Sequence, residues 1–494
     1  MRNANVDDLA FRSASSLAAM IREQTISSAE LTEHYIRRIS EFDDRTNAVV
    51  VRTFDRAREA AAAADARQRA GGELGPLHGV PMTIKESFAL AGTPTTFGFE
   101  AFANNVATRN AVAVDRLIGA GAVILGKTNV PPGLMDGQSA NPVYGRTANP
   151  WDLGRTPGGS SGGSAAALAA GLSALEFGSD IASSIRNPAH YCGVFGHKPT
   201  YGVCPTRGHW LAPHDLAPDI AVVGPLARSA ADLALALSVV AGPDEPMSHG
   251  WQLALRGSQK KLRQFNIALV IDDAFAEVDA EVSALLDDLG TFLEGQQVRV
   301  NRKTRPAFDS RELFQLYMIL LRAAGSASAG DEEVAAAAPL ATGASRFSKE
   351  MATLNAYGVV LSHRDWLRLD AERDGMRRKW REFFAEADLL LCPPLSTAAF
   401  PHDERPPQQR TLTVNGREVP FENQLFWAGY AGVVYLPATV APIGLTTAGL
   451  PVGVQIIGPE YGDYECLRFA QLLEQHYRAF VPPPDFAGTT STPG

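Results

Sequence analysis

Along the first 130 residues, the spacing of apolar positions alternates between a helical period and a strand-like one. Residues 14–41 repeat apolar side chains at i, i+4 spacing and predict two helices, and residues 54–70 predict a third. A run of apolar and β-branched residues then ends at Lys85 and predicts a short buried strand whose last residue is a lysine. Residues 109–129 predict a helix, a glycine turn and a second strand. This alternation of helices and strands indicates an α/β protein.

The pattern weakens between about residue 245 and residue 425, where few segments show a clear period. Near the C-terminus, strand-like runs separated by Gly and Pro turns precede a last helix, and the proline-rich tail after it is predicted to be disordered. Neither an internal repeat nor a linker interrupts the chain, so we expect one domain over residues 1–494. The remaining predicted elements are a small-residue helix and a short strand over 164–180, a buried strand at 387–395, and helices at 279–294, 311–328, 363–386 and about 463–478.

Composition and charge narrow the class of protein further. Of the 494 residues, 45% are hydrophobic and 20% are charged, as is ordinary for a soluble globular protein with a large core. A formal net charge of -9 argues against nucleic acid as the main partner. The sequence contains no apolar run of the roughly 18 residues that a membrane span needs, and its N-terminus lacks the apolar segment of a secretory signal. We therefore expect a cytoplasmic protein with neither a nucleic-acid nor a membrane partner.

The four cysteines are scattered along the chain and form neither a C-x-x-C pair nor a zinc-binding spacing. We expect them to be buried, reduced thiols, and we expect no metal site. The cysteines are Cys192, Cys204, Cys392 and Cys466.

The stretch GRTPGGSSGGSAAALAAGL at 154–172 is unusual because four glycines and three serines fall between Gly158 and Ser164. A phosphate-binding loop would place a lysine where Ser164 stands. A nucleophile elbow of the G-x-S-x-G type fits residues 158–162, but it requires a strand directly before it, and the preceding residues are rich in turn formers. A flexible loop is the third interpretation, which the backbone entropy cost of so many glycines disfavours.

Four stretches together resemble the amidase signature family of serine hydrolases. They are GPLHGVPMTIKES (75–87), GRTANPWDLGRTPGGSSGGSAAALAAGL (145–172), GSDIASSIRNPAHYCGVFGHKPTYG (178–202) and LPVGVQIIG (450–458). The resemblance implies a single large α/β domain with a mixed central β-sheet wrapped by α-helices. Within it we expect a motif-dense core at about 75–230, a substrate-pocket region at about 245–430, and a C-terminal sheet and helix at about 431–480.

The resemblance assigns three catalytic residues by position: Ser184 as nucleophile, Ser160 as a bridging serine held by a cis peptide bond, and Lys85 as base. A serine hydroxyl is a poor nucleophile until a base removes its proton. A lysine can be that base only when it is neutral, and burial lowers the pKa of a lysine because it penalises the charged form. The glycine-rich loop would then position a proton relay. After Lys85 the family more commonly has Asp-Asn than the Glu86-Ser87 found here.

Members of the family stabilise the oxyanion with backbone N–H groups just before the nucleophile. In this chain those groups belong to Ile181, Ala182, Ser183 and Ser184, and we assign Met135 to the same substrate-binding surroundings. The family usually has Gly-Gly where this chain has Ala182-Ser183. The two added Cβ atoms restrict φ, so this is where the donor geometry would depart from the family.

Several charged and titratable residues near the motifs are expected to be structural. Asp180 and Arg186 flank the predicted nucleophile, and we expect them to form a buried pair that stabilises the turn. His78, His190 and His197 are candidate bases. Because a lysine relay leaves no task for them, we expect each to be a hydrogen-bonded structural residue.

The reaction that the resemblance implies is hydrolysis of a carboxylic amide C–N bond through an acyl-serine, with a small-molecule amide as partner and with no metal or organic cofactor. Aryl amides, aliphatic amides and carbamates (urethanes) stay open as substrates, and a homodimer is a candidate assembly. The alternatives are an amidotransferase A-type subunit that needs protein partners, a carboxylesterase, and a non-catalytic binding protein. Four aromatic residues either line the pocket or belong to the core: Phe421, Phe426, Trp427 and Tyr430.

Overall fold

A computed structural model describes residues 6–211 and 218–487, which form two principal β-sheets with helices packed around them. The strands are β1 (Val49–Arg52), β2 (Pro81–Lys85), β3 (Val123–Thr128), β4 (Ala140–Asn141), β5 (Gly145–Arg146), β6 (Glu176–Asp180), β7 (Phe195–Lys198), β8 (Val222–Ala227), β9 (Asn266–Leu269), β10 (Arg299–Asn301), β11 (Leu389–Cys392), β12 (Thr411–Val414), β13 (Arg417–Pro420), β14 (Ala438–Leu445) and β15 (Pro451–Ile457).

The helices of the described residues occur throughout the chain. They are α1 (Ala14–Arg22), α2 (Ser28–Thr46), α3 (Phe54–Arg69), α4 (Val112–Gly119), α5 (Gly162–Ala169), α6 (Arg186–Cys192), α7 (Ala230–Val240), α8 (Ala280–Gly295), α9 (Ser310–Ser326), α10 (Asp331–Leu340), α11 (Met351–Val359), α12 (His363–Glu386), α13 (Leu425–Gly432) and α14 (Asp463–His476).

The larger sheet has eight strands in the order β10-β9-β11-β15-β14-β7-β8-β6. Strands β10, β9 and β11 run parallel to one another, whereas every other neighbouring pair in this sheet is antiparallel. Its central strands β14 and β15 are buried almost throughout, so both faces are covered. The predicted class, a single α/β domain with a mixed central sheet wrapped by helices, is confirmed.

The predicted lysine-ending strand lies in a separate three-stranded sheet of order β1-β3-β2, in which β2 is parallel to β3. Strand β2 runs alongside the start of β6, the edge strand of the larger sheet. The backbone N–H of Thr83 donates to the carbonyl of Leu175 at 3.3 Å and to the hydroxyl of Ser173 at 2.9 Å. Lys85 therefore ends its strand at the junction between the two sheets.

Helix α5, which follows the glycine-rich loop, is buried over its whole length. Its sequence GGSAAALA carries mostly side chains of one carbon or none, which allow close approach on every side. Contacts with α6, β2, β6 and β8 surround it. The small-residue helix thus serves as a central packing element between the two sheets.

Local sequence signals predicted the amphipathic helices well. At the start of α2, the Ser27 hydroxyl accepts from the N–H of Glu30 and the Glu30 carboxylate accepts from the N–H of Ser27, as expected for a capping box. The predicted middle helices correspond to α8, α9 and α12. The prediction missed five helices: α6, α7, α10, α11 and α13. Of these, α13 is apolar on all sides and so shows no helical period.

The prediction of a disordered tail after α14 is wrong for the residues up to 487. Phe486 is fully buried, and its ring packs against Phe42 with 5.9 Å between ring centroids. Arg38 donates to the Phe486 carbonyl at 3.1 Å. The apolar side chain of Phe486 thus anchors a proline-rich segment, and the rest of that tail, residues 488–494, lies outside the described residues.

One continuous hydrophobic core extends from Leu9 to Phe486. All four cysteines are buried free thiols, as predicted. Within residues 6–211 and 218–487, the structure has no helix long and apolar enough to cross a membrane.

Candidate active site

Lys85 is completely buried and contacts two serine hydroxyls. Its Nζ atom lies 2.7 Å from Oγ of Ser160 and 2.8 Å from Oγ of Ser179. Burial lowers the pKa of Lys85 to about 7, although the negative charge of Asp180 and, when it is ionised, that of Glu176 oppose this. The lysine can therefore be neutral near physiological pH while it stays in contact with a hydroxyl group.

Ser160 lies in the glycine-rich loop, and the peptide bond between Gly159 and Ser160 is cis, as the family resemblance implies. Glycine is required here because other backbone segments pass very close to the loop. A Cβ atom at Gly159 would lie 2.4 Å from the carbonyl oxygen of Asp136, and one at Gly163 would lie 2.3 Å from the backbone nitrogen of Asn129. The loop is thus tightly packed, and no strand directly precedes it within the described residues, which disfavours both the flexible loop and the nucleophile elbow.

Ser184 lies in the turn between β6 and α6 and is 5% exposed. Its carbonyl oxygen accepts a 3.1 Å hydrogen bond from the N–H of Ser161, the residue after Ser160. This bond ties the predicted nucleophile's turn directly to the glycine-rich loop. The fold thus brings Lys85 into contact with Ser160 and places Ser184 on the segment bonded to that same loop.

The turn around Ser184 is held by Asp180 and Arg186, whose side chains form a fully buried ion pair, as predicted. The Arg186 Nε and Nη2 atoms donate to the carboxylate at 2.9 and 2.8 Å, and Nη1 reaches Gln455 Oε1 at 2.7 Å. Burial alone would raise the pKa of Asp180, but the charge and hydrogen bonds of Arg186 lower it to about 2. The pair therefore stays ionised.

Asp180 also accepts a hydrogen bond from one of the four backbone N–H groups that are expected to stabilise the oxyanion. Its Oδ1 atom accepts the backbone N–H of Ser183 at 2.9 Å. Ser183 has φ of 77°, the left-handed region that favours glycine, and its buried hydroxyl has no hydrogen-bond partner in the described part of the chain. The N–H groups of Ile181, Ala182 and Ser184 donate to no acceptor among the described residues, so they stay available.

The weakly patterned middle of the chain contributes to these surroundings. From α9, the Tyr317 hydroxyl donates to the carbonyl of Ile181 at 3.3 Å and so orients the first peptide of the turn. Arg410 pairs with Asp136 at 2.5 and 2.9 Å. Met135, the residue before Asp136, is 68% exposed. Met135 makes no hydrogen bond to Lys85, Ser160 or Ser184. Its apolar side chain faces solvent, and the residues that follow it, 136–138, pack on the glycine-rich loop.

All four aromatic candidates for the pocket are buried in hydrophobic clusters. Phe426, Trp427 and Tyr430 are 0 to 3% exposed and pack against one another. Phe421 differs, because its Cζ would lie 2.9 Å from a Cβ at Gly137, two residues after Met135. Phe421, which packs with Leu412 and Val414, therefore lies next to the segment to which Met135 belongs.

The candidate histidines lie away from the Lys85–Ser160 contact. His190 contacts the carbonyl of Thr397 and the N–H of Gly453 at 3.0 and 2.8 Å, and burial lowers its pKa to about 4. His197 contacts Thr439 and Asp463 at 2.8 and 3.2 Å. His78 is also buried. The hydrogen bonds of His190 and His197 agree with structural roles.

Two residues at this site escaped the sequence analysis. Ser179 contacts Lys85, and Glu176 places a fully buried carboxyl group three residues earlier on the same strand. Glu176 does leave a trace in the sequence, since it is a single charged residue between apolar ones in ALEFG. Ser179 leaves none, because a serine beside Asp180 is equally consistent with a turn.

Comparison with known proteins places this arrangement in a class. A buried lysine in contact with serine hydroxyls, one of them on a loop hydrogen-bonded to the turn that carries another serine, suits a hydrolase that works through a serine. The family model for Amidase matches residues 30–467. An acylamidase from Rhodococcus erythropolis is 36% identical over 488 residues, covering 94% of this chain and 96% of its own length.

Two further proteins extend the comparison. The A-type subunit of the glutamyl-tRNA(Gln) amidotransferase from Synechococcus sp. (strain CC9605) is 31% identical, covering 94% of this chain and 96% of its own length. The crystal structure of an amidase superposes with a TM-score of 0.78 at 26% identity, covering 94% of this chain and 100% of that one. This chain belongs to the amidase family, and it is an enzyme that hydrolyses amide C–N bonds.

Proposed function

We propose that the enzyme hydrolyses a small-molecule amide through an acyl intermediate on Ser184, with Ser160 and Lys85 as a proton relay. The observation that carries this proposal is the 2.7 Å contact between a completely buried lysine and Ser160. A lysine whose pKa is close to neutral can accept a proton at the pH at which enzymes work.

In the first half of the reaction, neutral Lys85 takes the hydroxyl proton of Ser160 while Ser160 takes that of Ser184. The Ser184 oxygen attacks the amide carbonyl carbon and forms a tetrahedral intermediate. The C–N bond then breaks, and the proton returns through Ser160 to the leaving nitrogen. In the second half, water attacks the acyl-serine, the same relay takes the water's proton, and Ser184 recovers its proton as the acid departs.

The negative oxygen of each tetrahedral intermediate needs hydrogen-bond donors. We assign this task to the backbone N–H groups of Ile181, Ala182 and Ser184, which are not engaged elsewhere in the described residues. The N–H of Ser183 is the weaker candidate because Asp180 already accepts it. Asp180 and Arg186 keep this turn in shape and take no part in the proton transfers.

For the substrate we propose an amide with an apolar acyl or aryl group. The support is the outward-facing apolar side chain of Met135 and the ring of Phe421 packed against the same segment. The similarity to an acylamidase supports an amide substrate. Carbamates share the carbonyl and leaving nitrogen of amides and belong in the same test panel, together with esters of the same acyl group.

An amidotransferase subunit is the second candidate, because the chain is 31% identical to one over nearly its whole length. Such a protein would depend on protein partners for full activity. The cytoplasmic location and the homodimer expected above stay predictions, and light scattering of the purified chain tests the second.

The experiment that tests the proposal uses the purified chain alone. A fluorophosphonate probe should add one label, and peptide mapping should place it on Ser184; Ser184→Ala should abolish labelling, whereas Ser161→Ala, a neighbouring serine, should keep it. The panel should contain p-nitroanilides, short aliphatic amides, carbamates and matched esters. A label on Ser160 would reverse the roles of the two serines. Hydrolysis that appears only after partner proteins are added would favour the amidotransferase.

A further inference from the structure

Glu176 is a buried acid that the proposed reaction does not use. Its side chain is inaccessible to solvent. The Thr83 hydroxyl donates a short hydrogen bond to Oε1, while Oε2 makes no well-formed hydrogen bond in the described part of the chain, because the nearby hydroxyls of Ser164 and Thr128 are bonded to each other. An unpartnered oxygen on a buried carboxylate is costly, and a proton on that oxygen removes most of the cost by making the group neutral.

The carboxyl group shares a buried layer with the proposed base. Thr83 and Lys85 are two residues apart on β2, so their side chains point to the same face of that strand. Each reaches a residue on β6: Thr83 contacts Glu176, and Lys85 contacts Ser179 at 2.8 Å. The carboxyl group of Glu176 thus lies on the same side of β2 as Lys85, and the hydrogen bonds of Lys85 go to serines rather than to the carboxyl group.

Three other charged or titratable groups act on this layer. Lys198 on β7 interacts with Asp180, and burial lowers its pKa to about 7, so it also changes charge near neutral pH, whereas the other two keep their charge. Asp180 is ionised and paired with Arg186. His209, which contacts the hydroxyl of Ser87 at 2.9 Å, is buried, and burial holds its pKa well below the usual range, so it is neutral.

Around Glu176 itself, the neighbours from the other elements are neutral hydroxyl groups. Thr128 on β3 and Ser164 on α5 are hydrogen-bonded to each other at 2.9 Å. Burial raises the pKa of Glu176 to about 8, against the opposing effect of the hydroxyls of Thr83, Ser164 and Thr128. Glu176 and Lys85 are thus two groups in one dry layer that both change charge within a narrow pH range.

We propose that Glu176 is a positioning residue that holds a proton on Oε2 while Lys85 is the neutral base, and that the two groups titrate as one coupled pair. This inference rests on the proposed role of Lys85. Loss of one proton from the pair leaves either a neutral lysine beside a neutral acid or an ammonium beside a carboxylate. Only the first form is active, so Lys85 becomes neutral over two overlapping steps rather than one.

The test is the pH dependence of kcat/KM on one amide for the wild type, Glu176→Gln and a control. Glutamine keeps the shape of the neutral acid and removes the charge that favours the ammonium. We therefore expect the rise of kcat/KM with pH in Glu176→Gln to move to lower pH by about 1 pH unit and to narrow to the width of a single ionisation. Ser173→Ala is the control, because it removes a buried hydroxyl beside Thr83 without touching the carboxyl group, and its profile should keep the wild-type midpoint and width.

A profile of Glu176→Gln with the wild-type midpoint and width would overturn the proposal, even if its rate were uniformly lower. If that variant does not fold, infrared difference spectra of the wild type and Thr83→Val decide the matter. A protonated carboxyl band should be present at pH 7, disappear as the pH rises past about 8 and change frequency in Thr83→Val; its absence at pH 7 would overturn the proposal. If Lys85→Ala keeps wild-type activity, the proposed function itself fails, and this inference fails with it.

Discussion

The side-chain nitrogen of Lys85 lies 2.7 Å from the hydroxyl oxygen of Ser160, although the two residues are 75 positions apart in the sequence. In the neutral amine, one N–H can keep the contact with Ser179 while the lone pair accepts the proton of Ser160. The contact can therefore pass a proton from Ser160 to Lys85 and back again. Amide hydrolysis needs both transfers, because the amide nitrogen must be protonated before it leaves.

Lys85→Ala should slow amide hydrolysis more than ester hydrolysis. An alkoxide or phenoxide leaves without full protonation, whereas an amide nitrogen does not. General acid–base assistance is typically worth about 10²–10⁴-fold, and we expect the loss in kcat/KM for the amide to reach the upper part of that range and the loss for the ester the lower part. The measurement compares an amide and an ester with one acyl group. Equal losses on both would show that Lys85 does not deliver the proton to the leaving group.

The pH dependence of activity follows from the burial of Lys85. The lysine is inactive as a base when protonated, and its lowered pKa is about 7. kcat/KM should therefore rise with pH and reach half its plateau near pH 7. This midpoint is about three pH units below the pH at which an exposed lysine titrates. Circular dichroism across the same range verifies that the protein stays folded. A rate that falls steadily from neutral to mildly alkaline pH would contradict a lysine base.

Ser183→Gly should stabilise the protein. A non-glycine residue at φ of 77° is strained, and the Ser183 hydroxyl is buried without a partner among the described residues. Relief of such strain is worth about 1 kcal/mol, and chemical denaturation should show an increase of that size in the free energy of unfolding. Ser183→Ala removes only the hydroxyl and should gain less.

The same Ser183→Gly variant, combined with Ala182→Gly, bears on specificity. The backbone N–H groups survive the double substitution, so hydrolysis of a small amide should persist while the preference among larger substrates changes. A loss of rate on every substrate would instead show that one of these side chains contributes directly, the Ser183 hydroxyl being the obvious group.

Asp180→Asn should destabilise the protein strongly, because it leaves the guanidinium of Arg186 buried without its counter-charge. Breaking a buried pair in this way typically costs about 3–5 kcal/mol. Asp485→Asn removes the exposed ion pair with Arg45 and is the matched control, for which little change is expected. Urea denaturation measures the free energy of unfolding of both variants.

In the wild type, the contribution of Asp180 to stability is complete above its unfolded pKa of about 3.9 and disappears as the pH falls through about 2. Equal stability of the two variants would show that the pair is not needed to hold the turn.

The sequence by itself determined the family and the α/β class, and it predicted Lys85, Ser160 and Ser184 as the catalytic residues, because these inferences depend on motifs whose residues are close together in the chain. It also determined the amphipathic helices, since a surface helix records its buried face as a period of 3.6 residues. Where an element is buried on all sides, as α13 is, that period vanishes, and the prediction missed it.

Only the tertiary structure decided which groups around the lysine share its dry layer. The close approach of β2 to the edge strand β6 brings Ser179 to Lys85 and Glu176 to Thr83 across more than 90 residues of sequence. The turn geometry commits the N–H of Ser183 to Asp180, and the packing of Phe486 orders part of a tail that looked disordered. The physical reason is common to all three. Burial and hydrogen bonding are set by neighbours from distant parts of the chain, and those neighbours change the pKa of a group, or the availability of a donor, without any trace in the local sequence.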